Sequence, residues 1–291
     1  MLYAHVLRRL PPLRRVPGVA MQNFMISQKQ NIWFGSFPLL SEAGFVNACS
    51  CRLHGESDLI PGTLNLALHV GDDPAKVLRN RNLFAAALDV DTNKFTTCQQ
   101  VHGDKVAVVD AALAGAGALS LADTVAGTDA LVTTLPDVPL LLFYADCVPV
   151  LLADKRSGAI GLAHAGWRGT VAGIAAKTVQ AMQEALGSRP QDILAAIGPS
   201  IGACCYEVDD FVRGRALGYE RFFADVQGKD GHYLLDLWGY NKSILLEAGV
   251  LPQHIAVAQV CTAHNSQLFC SHRAEQGHTG RMGVCLCRTA K

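Results

Sequence analysis

The stretch PLLLFYADCVPVLLADKRSGAIGLAHA, residues 139–165, decides the fold. An apolar run over 139–144 breaks at Ala145-Asp146-Cys147, and a second run follows over 148–153. Asp154-Lys155-Arg156-Ser157-Gly158 then makes a turn, and a third apolar run covers 159–163. Short apolar runs bounded by turn residues read as strands. The turn at 154–158 is too short to hold a crossover helix, so the strands it joins run antiparallel. A simple alternating βαβ fold does not fit; a mixed α+β arrangement, with helices covering sheets, does.

Outward from this core, strands are predicted over 105–109, 130–134, 193–197 and 255–260. Asp72-Asp73-Pro74, followed by Val77, Leu78, Leu83, Phe84 and Leu88, reads as an N-capped helix. Apolar residues at helical spacing predict helices over 170–186, ending at Gly187, and over 236–248, ending at Gly249. The small-residue stretch 111–118 reads as a loop or weak helix. No Pro/Gly/Ser linker divides the chain after residue 40, so residues 41–291 read as one domain. Residues 1–40 read as a basic N-terminal extension.

The chain has 291 residues, 25 Lys+Arg against 25 Asp+Glu, and a formal net charge of zero. Half of it is hydrophobic and 17% is charged, which excludes a disordered protein. Charge balance argues against a nucleic-acid binder. Asp146 interrupts the richest apolar stretch, so no membrane span is expected. Arg8, Arg9, Arg14 and Arg15 precede any acidic residue and resemble an organelle leader. A frayed basic tail, or a true start at Met21, explains them as well. No apolar signal core follows, so the expected location is cytoplasmic. Ten cysteines without a CxxC pair predict reduced thiols, mostly buried as small hydrophobes.

Three positions stand in unusual surroundings. His102 lies in Gln99-Gln100-Val101-His102-Gly103, before a strand. Cys147 interrupts the apolar core stretch. His164 lies in Ala163-His164-Ala165-Gly166-Trp167-Arg168-Gly169, between a strand and a helix. Closed structural zinc sites use four protein ligands, whereas one thiolate and two imidazoles leave a position open for water or substrate. Spacing alone leaves the other account standing, in which these are hydrogen-bonded core histidines and a packing cysteine.

Several segments resemble the laccase-domain, or polyphenol-oxidase-like, family in its purine nucleoside phosphorylase type. They are the run from Leu64 to Pro74, Gln100-Val101-His102-Gly103, Thr128-Asp129-Ala130-Leu131-Val132-Thr133, Ala145-Asp146-Cys147-Val148-Pro149 and Ala163 to Gly169. Ile197-Gly198-Pro199-Ser200, Cys205-Tyr206-Glu207-Val208 and Thr279-Gly280-Arg281 continue the match, in order, from about residue 45 to the C-terminus. The resemblance implies a single domain of layered α-β-β-α architecture with mixed sheets. It implies a metal held by His102, Cys147 and His164, with zinc expected and copper as the alternative. It also implies phosphorolysis of adenosine, inosine, guanosine and methylthioadenosine, with adenosine deaminase activity. Older naming gives copper-dependent oxidation of polyphenols, and some bacterial members are assigned peptidoglycan editing, as an amidase.

No two of the ten histidines are separated by a single residue. The paired His-X-His segments of a multicopper cluster are therefore missing. Met282 is the only methionine in a matched segment, so an axial copper ligand is not evident either. A purine nucleoside and phosphate are the expected partners, with no nucleic acid, no membrane and a monomer favoured.

Supporting residues follow from the same resemblance. Arg52, in Cys51-Arg52-Leu53-His54-Gly55, and Arg168, beside the start of a helix, are candidate phosphate contacts. Cys51 and His54 depart from the family's Thr and Gly there. Asn65 is a candidate for ribose or base. Asp146 is a candidate acid/base, or a partner that orients His102 or His164. Trp167 and His69 read as packing residues, and Cys204 and Cys205 as structural. Cys261, His264, Cys270 and His272 are not read as a second zinc site.

Overall fold

The computed structural model describes residues 23–290, and the arginine cluster and Met21 lie outside the described residues. One sheet has the order β1 (Met25–Lys29), β2 (Ile32–Ser36), β3 (Phe45–Ser50), β14 (Met282–Arg288) and β6 (Leu140–Tyr144). The second has the order β13 (Ile255–Val257), β9 (Ile193–Ile197), β7 (Val148–Asp154), β8 (Ile160–Ala165), β5 (Ala130–Thr133) and β4 (Val106–Val108). A small third sheet joins β10 (Glu207–Asp209), β12 (His232–Leu235) and β11 (Phe223–Asp225). The helices are α1 (Pro38–Ser41), α2 (Pro74–Leu88), α3 (Trp167–Val171), α4 (Ile174–Leu186), α5 (Asp210–Arg213) and α6 (Leu237–Glu247). Among the described residues no helix is long and apolar enough to cross a membrane.

The period-2 alternation of strand side chains explains both the layers and the unbroken apolar runs. In β6, Leu140, Leu142 and Tyr144 enter a core shared with Leu151 and Ala153 of β7 and Ile160 and Leu162 of β8. Their neighbours Leu141 and Phe143 face the other way, onto Phe84, Ala85 and Leu88 of α2. In β7, Val148, Val150 and Leu152 face α4 and α6, against Ile174, Val179, Met182, Tyr240 and Ile244. The order is helix, sheet, sheet, helix. Both faces of each central strand are buried, so neither face needs polar residues.

β7 and β8 pair antiparallel across the 154–158 turn, as predicted, with Val148 opposite Ala165 and Pro149 opposite His164. β13 joins β9 in parallel and β4 joins β5 in parallel, so the sheet is mixed. His164 shares the parity of Ile160 and Leu162, which turns it into the layer between the sheets.

The structure differs from the sequence reading in three places. The boundary expected at residue 40 falls inside the first sheet, since β1 and β2 form a hairpin paired to β3. Phe24, Ile32, Phe37 and Leu40 are buried there. The helix predicted over 170–186 is two helices, broken at Gly173, whose φ of 78° is left-handed. The predicted strand over 159–163 runs on through Ala165, so His164 belongs to β8 rather than to a turn.

Candidate metal centre and cavity

His102, Cys147 and His164 each offer one ligand atom, and the three atoms lie within 4.8 Å of one another. Two buried carboxylates bring them there. Cys147 sits in the bend between β6 and β7, after Asp146 at φ 85°. One Asp146 carboxylate oxygen accepts the Thr262 hydroxyl at 2.6 Å, and the other accepts the Arg273 backbone N–H at 2.7 Å. The left-handed conformation and both hydrogen bonds fix the bend that presents the thiol. Both Asp146 oxygens thus help to hold Cys147 in place, and Asp146 also lines the cavity.

The orienting carboxylate is Asp129, which is fully buried. Its Oδ1 accepts Nδ1–H of His164 at 2.9 Å and the backbone N–H of His102 at 2.9 Å. Its Oδ2 accepts the N–H groups of Val101 at 3.1 Å and Gly103 at 2.7 Å. A carboxylate only accepts, so Nδ1 of His164 carries a hydrogen toward Asp129, and Nε2 is the atom a cation would take. The same group folds the loop that carries His102, itself at φ 61°. One side chain therefore positions two of the three candidate ligands. The two imidazole rings meet edge to face at 4.8 Å, and Tyr144 lies edge-on to His164 at 5.4 Å.

The electrostatics agree with this geometry. Burial disfavours the Cys147 thiolate, but the His164 charge and hydrogen bonds from His102 and His164 outweigh it and bring the thiol down to about 6. Burial likewise disfavours imidazolium at His164, yet the Cys147 and Asp129 charges push it up to about 9. Burial opposes ionisation of Asp129 as well; the His164 hydrogen bond and the backbone N–H groups prevail and hold its carboxyl below the usual range. Gly166 faces this cluster. A Cβ there would stand 2.9 Å from the Cys147 sulfur and 3.2 Å from His102 Cδ2. The donor types, the fixed tautomer and the glycine cradle all suit a small thiophilic cation.

The triad opens on a cavity of about 430 Å³. Phe143 and Tyr206 give it aromatic walls, while Arg273, Arg281, His69 and His272 give it cationic or polar ones. Burial, followed by the charges of Arg281 and Arg81, pushes His69 down to about 4. Gln100 grips both the N–H and the C=O of Phe143, at 2.9 and 2.8 Å, which fixes the backbone that carries that ring.

The supporting residues fare differently. Arg52 is buried and donates to the Ser266 carbonyl at 2.8 Å and to Glu275 at 2.6 Å. This ion pair ties the loop after β3 to the C-terminal segment, and Arg52 is not among the residues that line the cavity. We expect Arg52→Ala to cost about 3 kcal/mol by denaturant unfolding, because Glu275 is left partly buried and unpaired. The KM for phosphate should stay within twofold; a tenfold rise would restore Arg52 to the site. Asn65 donates to Asp72 and the Ala67 carbonyl and accepts from Ala67 and Arg281 N–H groups. Its amide supports the chain instead of facing a sugar. Arg168 is exposed in the five-residue α3, with its guanidinium 4.3 Å from the Trp167 ring centroid, although its charge reaches Tyr206 in the cavity wall.

Sequence reasoning missed Asp129 as the orienting group, and Arg273 and Arg281 as the cavity's guanidiniums. Thr128-Asp129 and Thr279-Gly280-Arg281 were visible as matched segments, and that was the available signal. Cys261 and His264 do come together in space, but with Cys204 and Cys205. Cys270 is instead buried in the core, and His272 lines the cavity. All ten cysteines are free thiols.

The family described as multi-copper polyphenol oxidoreductase laccase matches residues 46–289. Purine nucleoside phosphorylase YlmD of Geobacillus stearothermophilus is 42% identical over 243 residues, 82% of this chain and 89% of that protein. A protein named adenosine deaminase RL5, from an unknown prokaryotic organism, is 34% identical over 75% of this chain and 84% of its own length. The crystal structure of YlmD from Geobacillus stearothermophilus superposes with a TM-score of 0.85 at 38% identity, covering 91% of this chain and 99% of that one. Sequence, fold and the His-Cys-His geometry converge: the chain belongs to the multi-copper polyphenol oxidoreductase laccase family, whose members include enzymes named purine nucleoside phosphorylase.

Proposed function

We propose that the chain is a zinc-dependent purine nucleoside phosphorylase, acting on adenosine, inosine, guanosine and methylthioadenosine, with adenosine deaminase as a second activity. The observation that carries this reading is a three-ligand donor set opening on a cavity that holds two guanidiniums and two aromatic rings. His102, Cys147 and His164 would hold the ion. When bound it supplies a Lewis acid that acidifies water or polarises an anionic oxygen at the cavity floor.

The rest of the work falls to this chain's own side chains. Arg273 and Arg281 offer the positive charge that phosphate needs. Arg281 is anchored for this, its guanidinium donating to the Thr279 and Gly280 carbonyls and its backbone N–H to Asn65. Arg273 donates to the Cys205 and Glu207 carbonyls and lies over the Tyr206 ring. Phe143 and Tyr206 give a flat purine apolar faces to lie against. In phosphorolysis a phosphate oxygen bonds ribose C1′ as the C1′–N bond breaks, and the purine leaves with that electron pair and a proton. The transition state carries positive charge at the sugar, so the anionic phosphate held beside it is itself stabilising. In deamination water adds at adenine C6 and ammonia departs.

Incubation of purified protein with adenosine and phosphate tests the reading. Phosphate-dependent adenine and ribose 1-phosphate, with inosine alongside, are expected. No purine turnover, with oxygen-dependent loss of a phenol, would overturn it in favour of a copper oxidase. Release of an amino acid from murein precursors would favour the amidase. Within this reading, Arg281→Ala should raise the KM for phosphate by roughly 10-fold or more, the loss of one charge-assisted hydrogen bond. An unchanged phosphate KM would remove Arg281 from the site.

A further inference from the structure

Cys204, Cys205, Cys261 and His264 present one ligand atom each, and all four atoms lie within 4.8 Å of one another. We propose that they form a second metal site, structural rather than catalytic, that takes zinc. Three thiolates and one imidazole complete a tetrahedral shell with no open position, unlike the three donors at the cavity. In such a shell the donor atoms stand about 3.5–3.8 Å apart, given Zn–S near 2.3 Å and Zn–N near 2.0 Å. Cys204 Sγ and His264 Nδ1 are already 3.4 Å apart. The remaining pairs need to close by about 1.3 Å at most to reach that spacing.

The surroundings leave the cluster open to solvent and tightly drawn together. Cys204 and His264 are exposed, so apolar packing does not account for this thiol. The Gly202 N–H donates to the Cys261 sulfur at 3.3 Å, which ties the two segments together at this sulfur. A Cβ on Gly202 would stand 3.2 Å from the Cys204 sulfur and 2.8 Å from Trp238, so the loop needs a glycine to come this close. Cys261 and His264 lie in one turn, closed by the Asn265 N–H on the Cys261 carbonyl. That turn pairs with the other segment, since the Ser200 carbonyl accepts the Thr262 N–H at 3.0 Å.

The site would clip together two segments that both build the cavity. Ile201 and Tyr206 line the cavity from the first segment, and Thr262 of the second holds Asp146, the neighbour of Cys147. An ion across them would brace the wall without touching substrate. The inference does not depend on which reaction the cavity performs.

Zinc content of protein purified in reductant is the first test. Two ions per chain are expected in the unaltered protein, and one in a Cys204→Ser/His264→Ala double variant. Both side chains are exposed, so the variant should fold. A second measurement does not rely on that. Cys147→Ser protein loaded with cobalt(II) should absorb in the visible with the intense bands of a tetrahedral thiolate site. Adding Cys204→Ser and His264→Ala should abolish those bands. Unchanged zinc in the double variant, or no thiolate bands from cobalt-loaded Cys147→Ser protein, would overturn the proposal.

Discussion

Cys147→Ser is expected to lose the ion at His102 and His164 and to lower kcat/KM for nucleoside by about 10³-fold or more, several kcal/mol of lost charge stabilisation. The argument is about charge rather than size. Its two histidine neighbours bring the Cys147 thiol down to about 6, which favours the thiolate that a cation would take as its anionic donor. A serine hydroxyl at the same place stays protonated and offers a neutral, harder donor. Two neutral imidazoles and a hydroxyl then face a divalent ion with no anion among them. The fold should survive, because Asp146 keeps its bonds to Thr262 and Arg273. Circular dichroism close to that of the unaltered protein, with activity lost, is the expected pattern. Zinc content should drop by the one equivalent assigned here. A variant retaining full turnover would show that the thiolate is not a ligand needed for the chemistry.

The central sheet was legible because its information is local. Residues 148–165 carry two apolar runs and a turn of polar residues, and the pairing of β7 with β8 follows from that pattern alone. The first sheet, apart from β6, was not. β1 and β2 lie in a segment whose lack of acidic residues reads as a tail, and β14 reads Met-Gly-Val-Cys-Leu-Cys-Arg, with a glycine and two cysteines among its apolar residues. Their burial is decided by partners far along the chain: Val284 pairs with Cys49, and Gly283 with Phe143. The break at Gly173 was invisible because one glycine in a helical pattern is tolerated more often than not.

The site divides in the same way. His102, Cys147 and His164 carry their chemistry in their residue types, so they could be nominated from the chain. Arg52 and Asn65 were nominated by the same logic and are occupied elsewhere. Their partners, Glu275 and the Arg281 N–H, lie 223 and 216 residues away, and nothing near either residue announces them. Residue type fixes what a side chain is able to do. Only tertiary placement decides which of its atoms are still free to do it.

Asp129 is where that distinction has its largest consequence. Each oxygen of its carboxylate receives two donors, His164 Nδ1–H and the His102 N–H on one, the Val101 and Gly103 N–H groups on the other. An asparagine has one acceptor oxygen, so Asp129→Asn must aim its NH₂ at one of these pairs. Aimed at Val101 and Gly103, it leaves two N–H groups facing a donor and loosens the loop that carries His102. Aimed at His164, it favours the tautomer with hydrogen on Nε2, the atom needed as a ligand. Either way a candidate ligand is lost or misplaced. Metal affinity should fall by about 10–100-fold, the usual consequence of removing an orienting carboxylate. Stability should fall by about 2–3 kcal/mol, because a buried acceptor of four hydrogen bonds is halved. Competition with a chromogenic chelator reads the first effect, and urea unfolding of metal-free protein reads the second. Saturating zinc should restore a large part of kcat, since the defect lies in holding the ion. Unaltered zinc affinity in a folded Asp129→Asn protein would mean that His164 is oriented by something other than this carboxylate.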